Sequence, residues 1–327
     1  MKKTLSLLLC VLMILSTLTL IGCGAKEEPL KLGLGVYTNV TKATNAEGET
    51  NGQGNVAITV AAVTVDAEGK VVSCALDTAD ITVAYTADGK AIANDGFKTK
   101  AEQGDSYGMK AYGGSAKEWY EQADAFETVA TGKTLAEIKA LIAENGKGTA
   151  DVISAGCTIA VGDFVNAIEK AFANLTESAA TSAATVKLGL HTEQTLTDAT
   201  EEKDGKNQTE TTVYAAAVGA DGKIVAAASE CIQVAFTFDA KGVSTYDLTK
   251  AVSGKREAGD NYGMKAYGGA AKEWYEQSDA FNAATIGKTA GEIASLMGAD
   301  NYGSADLKTA GCTILVNGLV KAASKIG

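Results

Sequence analysis

Residues 55–65 read NVAITVAAVTV, with apolar side chains alternating with small or hydroxylated ones. A period of two sends successive side chains to opposite faces, which predicts a β-strand. The turn sequence DAEGK follows at 66–70, and its glycine suits a short hairpin with a bulge. Residues 71–77 (VVSCALD) and 81–85 (ITVAY) read as two further strands, so the pattern predicts an antiparallel meander. Residues 212–218, 224–228 and 232–238 carry the same signal. Between these two runs of strands the period lengthens to that of a helix. Trp119, Gln122–Ala123, Phe126 and Val129–Ala130 share one helical face, and residues 163–175 place Phe164, Ile168 and Phe172 together. Thr134-Leu-Ala-Glu137 and Thr289-Ala-Gly-Glu292 are T-x-x-E capping boxes ahead of apolar stripes. The expected class is α+β: an antiparallel sheet with helices packed on one face.

The pattern occurs twice because the sequence does. KLGL at Lys31–Leu34 returns at Lys187–Leu190, GKT at Gly132–Thr134 returns at Gly287–Thr289, and AGCTI at Ala155–Ile159 returns at Ala310–Ile314. Between Gly104–Phe126 and Gly259–Phe281 only Ser106/Asn261, Ser115/Ala270 and Ala123/Ser278 differ. A repeat far longer than the ~20–50 residues of solenoids means two homologous domains. We assign them to 30–175 and 186–327, joined by a small polar linker at 176–185.

The chain opens with Lys2 and Lys3 and an apolar run from Leu5 to Ile21, the composition of an export signal. Leu20-Ile21-Gly22-Cys23 then resembles the lipobox of bacterial lipoproteins. That resemblance implies a signal peptide at 1–22, lipidation of Cys23 and a short tether at 23–29. It also implies a location on the extracytoplasmic face of the cell membrane. At about 0.8 kcal/mol per buried methylene, two or three acyl chains anchor a protein stably. The net charge is −11, and loss of Lys2 and Lys3 takes it to −13. So acidic a chain repels nucleic-acid phosphates, so no nucleic-acid partner is expected.

Several familiar chemistries are excluded. His191 is the sole histidine, so no His-based triad or zinc site is shared by both domains; a surface position is expected for it. The GKT segments lack the upstream glycine of a phosphate loop, where Glu127 and Asn282 stand instead. Neither Asp66 nor Asp221 lies in a calcium-loop spacing. No catalytic residue and no metal ligand is therefore expected. Cys74 with Cys157, and Cys231 with Cys312, read as two equivalent pairs. They are either one disulfide per domain, which an extracytoplasmic setting permits, or four small buried hydrophobes.

Two segments remain. YGMKAYGG, at Tyr107–Gly114 and Tyr262–Gly269, offers Tyr107, Met109 and Lys110, or Tyr262, Met264 and Lys265. It reads either as a buried crossover or as a loop that holds a planar ring beside an anion. DVISAGCTI at Asp151–Ile159 and DLKTAGCTI at Asp306–Ile314, with the GK[VI]V hairpin upstream, resemble the FMN-binding domain family of exported bacterial proteins. Tandem copies on a lipoprotein are similar to flavin-carrying lipoproteins of extracellular electron transfer. The resemblance implies FMN carried on a threonine by a flavin transferase, redox partners, and a carrier rather than a turnover enzyme. It makes Gly156, Thr158, Gly311 and Thr313 candidate cofactor-binding residues beside those of the loop. The alternative is a ligand-binding or envelope lipoprotein of the same fold without flavin. The register departs from the family's pattern: Cys157 and Cys312 stand at the acceptor position and the threonines one residue later. In extended chain that shift turns the hydroxyl to the opposite face.

Overall fold

The computed structural model describes residues 28–327. The expected signal peptide, Cys23 and the tether up to residue 27 lie outside the described residues. The first unit contains strands β1 (Lys31–Thr44), β2 (Gly52–Val65) and β3 (Val71–Tyr85), flanked by short β4 (Ala91–Ile92) and β5 (Thr176–Glu177). They form one antiparallel sheet in the order β4-β3-β2-β1-β5. Its helices are α1 (Lys100–Gln103), α2 (Trp119–Ala130), α3 (Leu135–Lys139), α4 (Ala150–Ala155) and α5 (Gly162–Ala173). The second unit repeats the plan with β6 (Thr185–Thr197), β7 (Gly205–Val218) and β8 (Ile224–Phe238) in a meander. Its helices are α6 (Lys255–Ala258), α7 (Trp274–Thr285), α8 (Ala305–Thr309) and α9 (Asn317–Ala323). The α+β class is therefore the one the periodicity predicts.

The strands are divided differently from the sequence reading. Residues 71–77 and 81–85 are one strand, β3, and 224–228 and 232–238 are one strand, β8. The polar stretch in the middle of β3 does not end it, because each polar group is satisfied in place. Thr78 Oγ1 lies 3.1 Å from Thr59 Oγ1 on β2, and Asp77 accepts the N–H groups of Thr78 (2.7 Å) and Ala101 (3.2 Å). The third strand of each meander is instead β1 or β6, which begins at or near the KLGL segment. A Cβ at Gly33 would strike the Ala171 carbonyl, and one at Gly189 the Ala322 carbonyl, so the last helix of each unit lies directly on this strand. Two residues assigned to the linker, Thr176–Glu177, form β5 against β1. The Thr289 box opens a 3₁₀ turn (Ala290–Leu296) with a glycine near its start, where the Thr134 box opens α3.

Each sheet carries helices on one face, and the other faces pack together. Val56, Ile58, Val60, Ile81 and Val83 meet Val213, Ala215, Ile232, Val234 and Phe236 in one core. On the opposite face Ala61, Val63 and Val65 support Trp119, Phe126, Phe164 and Ile168, and Tyr214 and Ala216 support Trp274, Phe281 and Leu319. The result is a four-layer α/β/β/α sandwich, which explains why every residue of β2 from Ile58 to Val65 is buried. Each large apolar side chain enclosed this way contributes about 1.5–3 kcal/mol. The units are related by a pseudo-twofold. Lys170 pairs with Glu257 at 2.7 Å, and the corresponding Lys325 pairs with Glu102 at 2.5 Å. Ala46 N–H bonds Gly242 O as Ala199 N–H bonds Gly89 O.

Register also corrects the cysteine equivalence. Thr64 pairs with Ser73 and Ala217 with Ala226, so Cys74 corresponds to Ala227, and Cys231 to Thr78. All four described cysteines are free. His191 is half-buried rather than on the surface, and it sits 3.3 Å from Glu193.

Candidate functional site: an exposed threonine held by a buried Glu–Gln pair

The identical block of the two units folds around the first turn of α2 and of α7. Glu118 precedes Trp119 in extended conformation, and its own N–H is taken by Glu121 Oε2 at 2.8 Å, which fixes the helix start. Its buried carboxylate reaches back to accept the N–H groups of Met109 (2.8 Å) and Lys110 (3.1 Å). Glu273 does the same for Met264 (2.8 Å) and Lys265 (3.0 Å). The YGMKAYGG loop is thus tied to its helix through the backbone, which leaves its side chains free to vary. Charge-assisted bonds of this kind are worth about 1.5–3 kcal/mol each.

Four residues on, and so on the same helical face, stands Gln122 with no solvent exposure, or Gln277 with 1%. Gln122 Oε1 accepts both the N–H (2.8 Å) and the hydroxyl (3.0 Å) of Thr158, while its Nε2 donates to Ser115 Oγ (3.1 Å) and Lys117 O (3.2 Å). Gln277 binds Thr313 at 2.8 and 2.9 Å and Lys272 O at 3.1 Å. Each glutamine therefore joins the two segments that the sequence singled out. Met109 and Met264 contribute mainly backbone N–H groups.

The AGCTI segment is not a strand. Gly156 caps α4 with φ of 106°, and Gly311 follows α8 with φ of 102°, a left-handed conformation that glycine adopts without strain. The chain then turns Cys157 and Cys312 fully inward and Thr158 and Thr313 outward. Consecutive residues do face opposite ways: the threonine is exposed, and its hydroxyl donates to the buried glutamine. Burial raises both thiol pKa values, that of Cys312 to about 11, so the sulfurs are neutral and enclosed. The ammonium of Lys117 donates to Ala155 O at 3.2 Å and covers Gly156; Lys272 covers Gly311 in the same way.

The remaining residues divide into two roles. Tyr107 and Trp119 flank the Lys100 ammonium (5.3 and 5.9 Å), as Tyr262 and Trp274 flank that of Lys255 (5.4 and 6.0 Å), so these tyrosines support the fold. The Lys110 and Lys265 ammonium groups pair with Glu121 (3.0 Å) and Glu276 (3.2 Å) at the surface. Tyr112 and Tyr267 are 91% exposed, which contradicts a buried-crossover reading for this end of the loop. Sequence reasoning missed Glu118, Gln122, Lys117 and their counterparts. Their signal was a glutamate and a glutamine at i and i+4 inside an identical block.

Each unit thus presents one exposed threonine whose hydroxyl the buried glutamine holds, an ammonium one residue before the buried glutamate, and an exposed tyrosine. This donor set suits a ligand with a phosphate and a flat ring. Among the described residues no cluster of His, Cys, Asp and Glu could hold a metal ion, and no helix is long and apolar enough to cross a membrane. A larger cleft, of 680 Å³ and lined in part by Leu34, Arg256 and Asn282, lies between the units and contains none of these residues.

Fold and site together define a duplicated α+β protein that displays a threonine on each unit. No protein-family model matches the chain, and no solved structure matches it significantly. A stretch of 125 residues, 34% of this chain, is 34% identical to a protein described as Chlorophenol reductase from Desulfitobacterium hafniense. The match spans 37% of that protein's length.

Proposed function

We propose that this chain is a membrane-anchored surface lipoprotein with two FMN-binding-like units, acting as an extracellular electron carrier. The observation that carries the reading is the outward threonine of each unit, Thr158 and Thr313, fixed by a buried glutamine beside a lysine ammonium. In that role the threonine hydroxyl is the attachment point for the flavin phosphate, and Lys117 or Lys272 offsets phosphate charge. Tyr112 or Tyr267 offers a face to the ring. Bound flavin supplies the electron chemistry, and the protein supplies position and electrostatics. The partial similarity to a protein described as a reductase supports a redox role.

A second reading, a ligand-binding lipoprotein of this fold without flavin, is favoured by the enclosure of Cys157 and Cys312 at the acceptor position. The test is the visible spectrum of the chain after exposure to FMN and a flavin transferase. A flavin band that survives denaturation and disappears in the Thr158→Ala/Thr313→Ala double variant supports attachment at these residues. A band lost on denaturation means non-covalent flavin. A colourless protein refutes the carrier reading and leaves the second.

A further inference from the structure

The two units differ in a cleft beside Trp274, and this difference does not depend on flavin. In the first unit the corresponding space is filled: Tyr37 packs into the helix-side core, and Phe164 meets Trp119 edge-on at 5.7 Å. In the second unit strand register puts the smaller His191 in the place of Tyr37, Gly318 stands for Asp163 and Leu319 for Phe164, and a cleft of 270 Å³ opens. Its walls have gained hydrogen-bonding groups at the same time. Glu210 replaces Ala57, Asn317 replaces Gly162, and Asn301 replaces Gly146. Asn301 has φ of 65° and is the one non-glycine residue with positive φ among the described residues; Gly146 has φ of 76°. A side chain has been placed where the backbone prefers glycine. The Asn301 amide and the Thr195 hydroxyl line the cleft and have no partner among the described residues.

We propose that this cleft is a binding site for a neutral, polyhydroxylated molecule of monosaccharide size. Its volume lies just under the ~300–1,000 Å³ of clefts that take drug-sized ligands. Its charges are already balanced: Glu193 pairs with Lys321 at 3.2 Å and accepts from Asn317, and Glu210 pairs with Lys255 at 3.0 Å. A charged ligand would have to break one of these pairs. A polyol uses the remaining carboxylate lone pairs, amides and hydroxyls while its C–H face lies against the indole.

The chain has two tryptophans, so full-length Trp119→Phe leaves Trp274 as the sole indole reporter. Glucose and N-acetylglucosamine are titrated against its emission, with phosphate and free lysine as charged comparisons. Calorimetry on the unmodified chain repeats the titration, in case Trp119→Phe perturbs folding. The expected result is saturation by a neutral sugar in both measurements. Asn301→Gly restores the residue that the first unit uses and relieves the backbone, and it should weaken binding about five- to tenfold. No saturation by either sugar, saturation by the charged probes alone, or unchanged affinity in Asn301→Gly would overturn the assignment.

Discussion

Gly254 and Glu230 give the sharpest test of how the two units were built. Gly254 has φ of −68° and ψ of 164°, and its counterpart Thr99 has −68° and 167°. The backbone therefore does not ask for glycine. What excludes a side chain is Glu230, because a Cβ at Gly254 would land on its carboxylate. That buried carboxylate accepts the N–H groups of Cys231 (2.8 Å), Arg256 (2.7 Å) and Glu257 (3.0 Å), the last two at the start of α6. In the first unit the carboxylate is Asp77, one methylene shorter, and Thr99 fits. Gly254→Ala should push Glu230 off Arg256 and Glu257. With charge-assisted bonds at about 1.5–3 kcal/mol each, the loss is about 3 kcal/mol. Against this stands a gain of about 0.4–1 kcal/mol for replacing glycine at an allowed φ. The net expectation is destabilisation by about 2 kcal/mol. Glu230→Asp alone withdraws the carboxylate and should cost about 1–2 kcal/mol. The double variant Gly254→Thr/Glu230→Asp rebuilds the arrangement of the first unit and should return to within about 1 kcal/mol of the native chain. Urea denaturation followed by tryptophan emission measures all of these, provided the slope with denaturant is unchanged. If the effects of the two changes simply add, the steric account of the glycine is wrong.

Other consequences follow from buried polar groups. Burial pushes the Glu127 carboxyl up to about 7, so between pH 4.5 and 7 the unfolded chain gives up a proton that the native chain keeps. Stability should therefore fall with rising pH across that window, and Glu127→Gln should recover up to about 3 kcal/mol at pH 8 in urea titrations, leaving a smaller fall from Asp77, which is raised to about 6. Asn282 already stands at the equivalent place in the second unit. Gln122→Leu should cost about 2–4 kcal/mol, and Gln277→Leu about 1 kcal/mol less, because Ala270 replaces Ser115 and one bond is already missing; equal losses would contradict this. Cys157, Cys231 and Cys312 should react with a thiol reagent only on unfolding, as burial raises each thiol's pKa, and rapid labelling in native buffer would show that they are accessible.

Much of the fold was legible in local pattern. The period of two along β2, the helical stripe from Trp119 and the capping box at Thr134 depend on neighbours in sequence, and sequence displays them. The continuity of β3 does not. Asp77 and Thr78 read as a break because their partners, Thr59 and the start of α1, are distant in the chain. The site was hidden for a related reason. Gln122 falls on the apolar face of its helix by spacing, but nothing local marks its partners: the loops that return Thr158 and Met109 to Gln122 and Glu118 are distant or irregular in the chain. At Tyr112 the sequence left a buried crossover and an open loop both standing, and the ring lies in solvent.

The duplication separates what the fold demands from what it does not. Where the fold demands something, the units differ in compensated pairs. Lys100 pairs with Asp80 on β3 at 3.4 Å, whereas Lys255 pairs with Glu210 on β7. The cross-strand pair Ala57–Asp80 has become Glu210–Gln233, so the carboxylate has changed strands while still serving the lysine. Thr59–Thr78 has become Thr212–Cys231, and Asp77 with Thr99 has become Glu230 with Gly254. Packing thus constrains combinations of residues more than single ones. Lys110-Ala-Tyr112-Gly-Gly114 is the reverse case, exposed and identical in both units. The backbone N–H bonds to Glu118 would form whatever side chain stood at position 112, so the fold sets no condition on that ring.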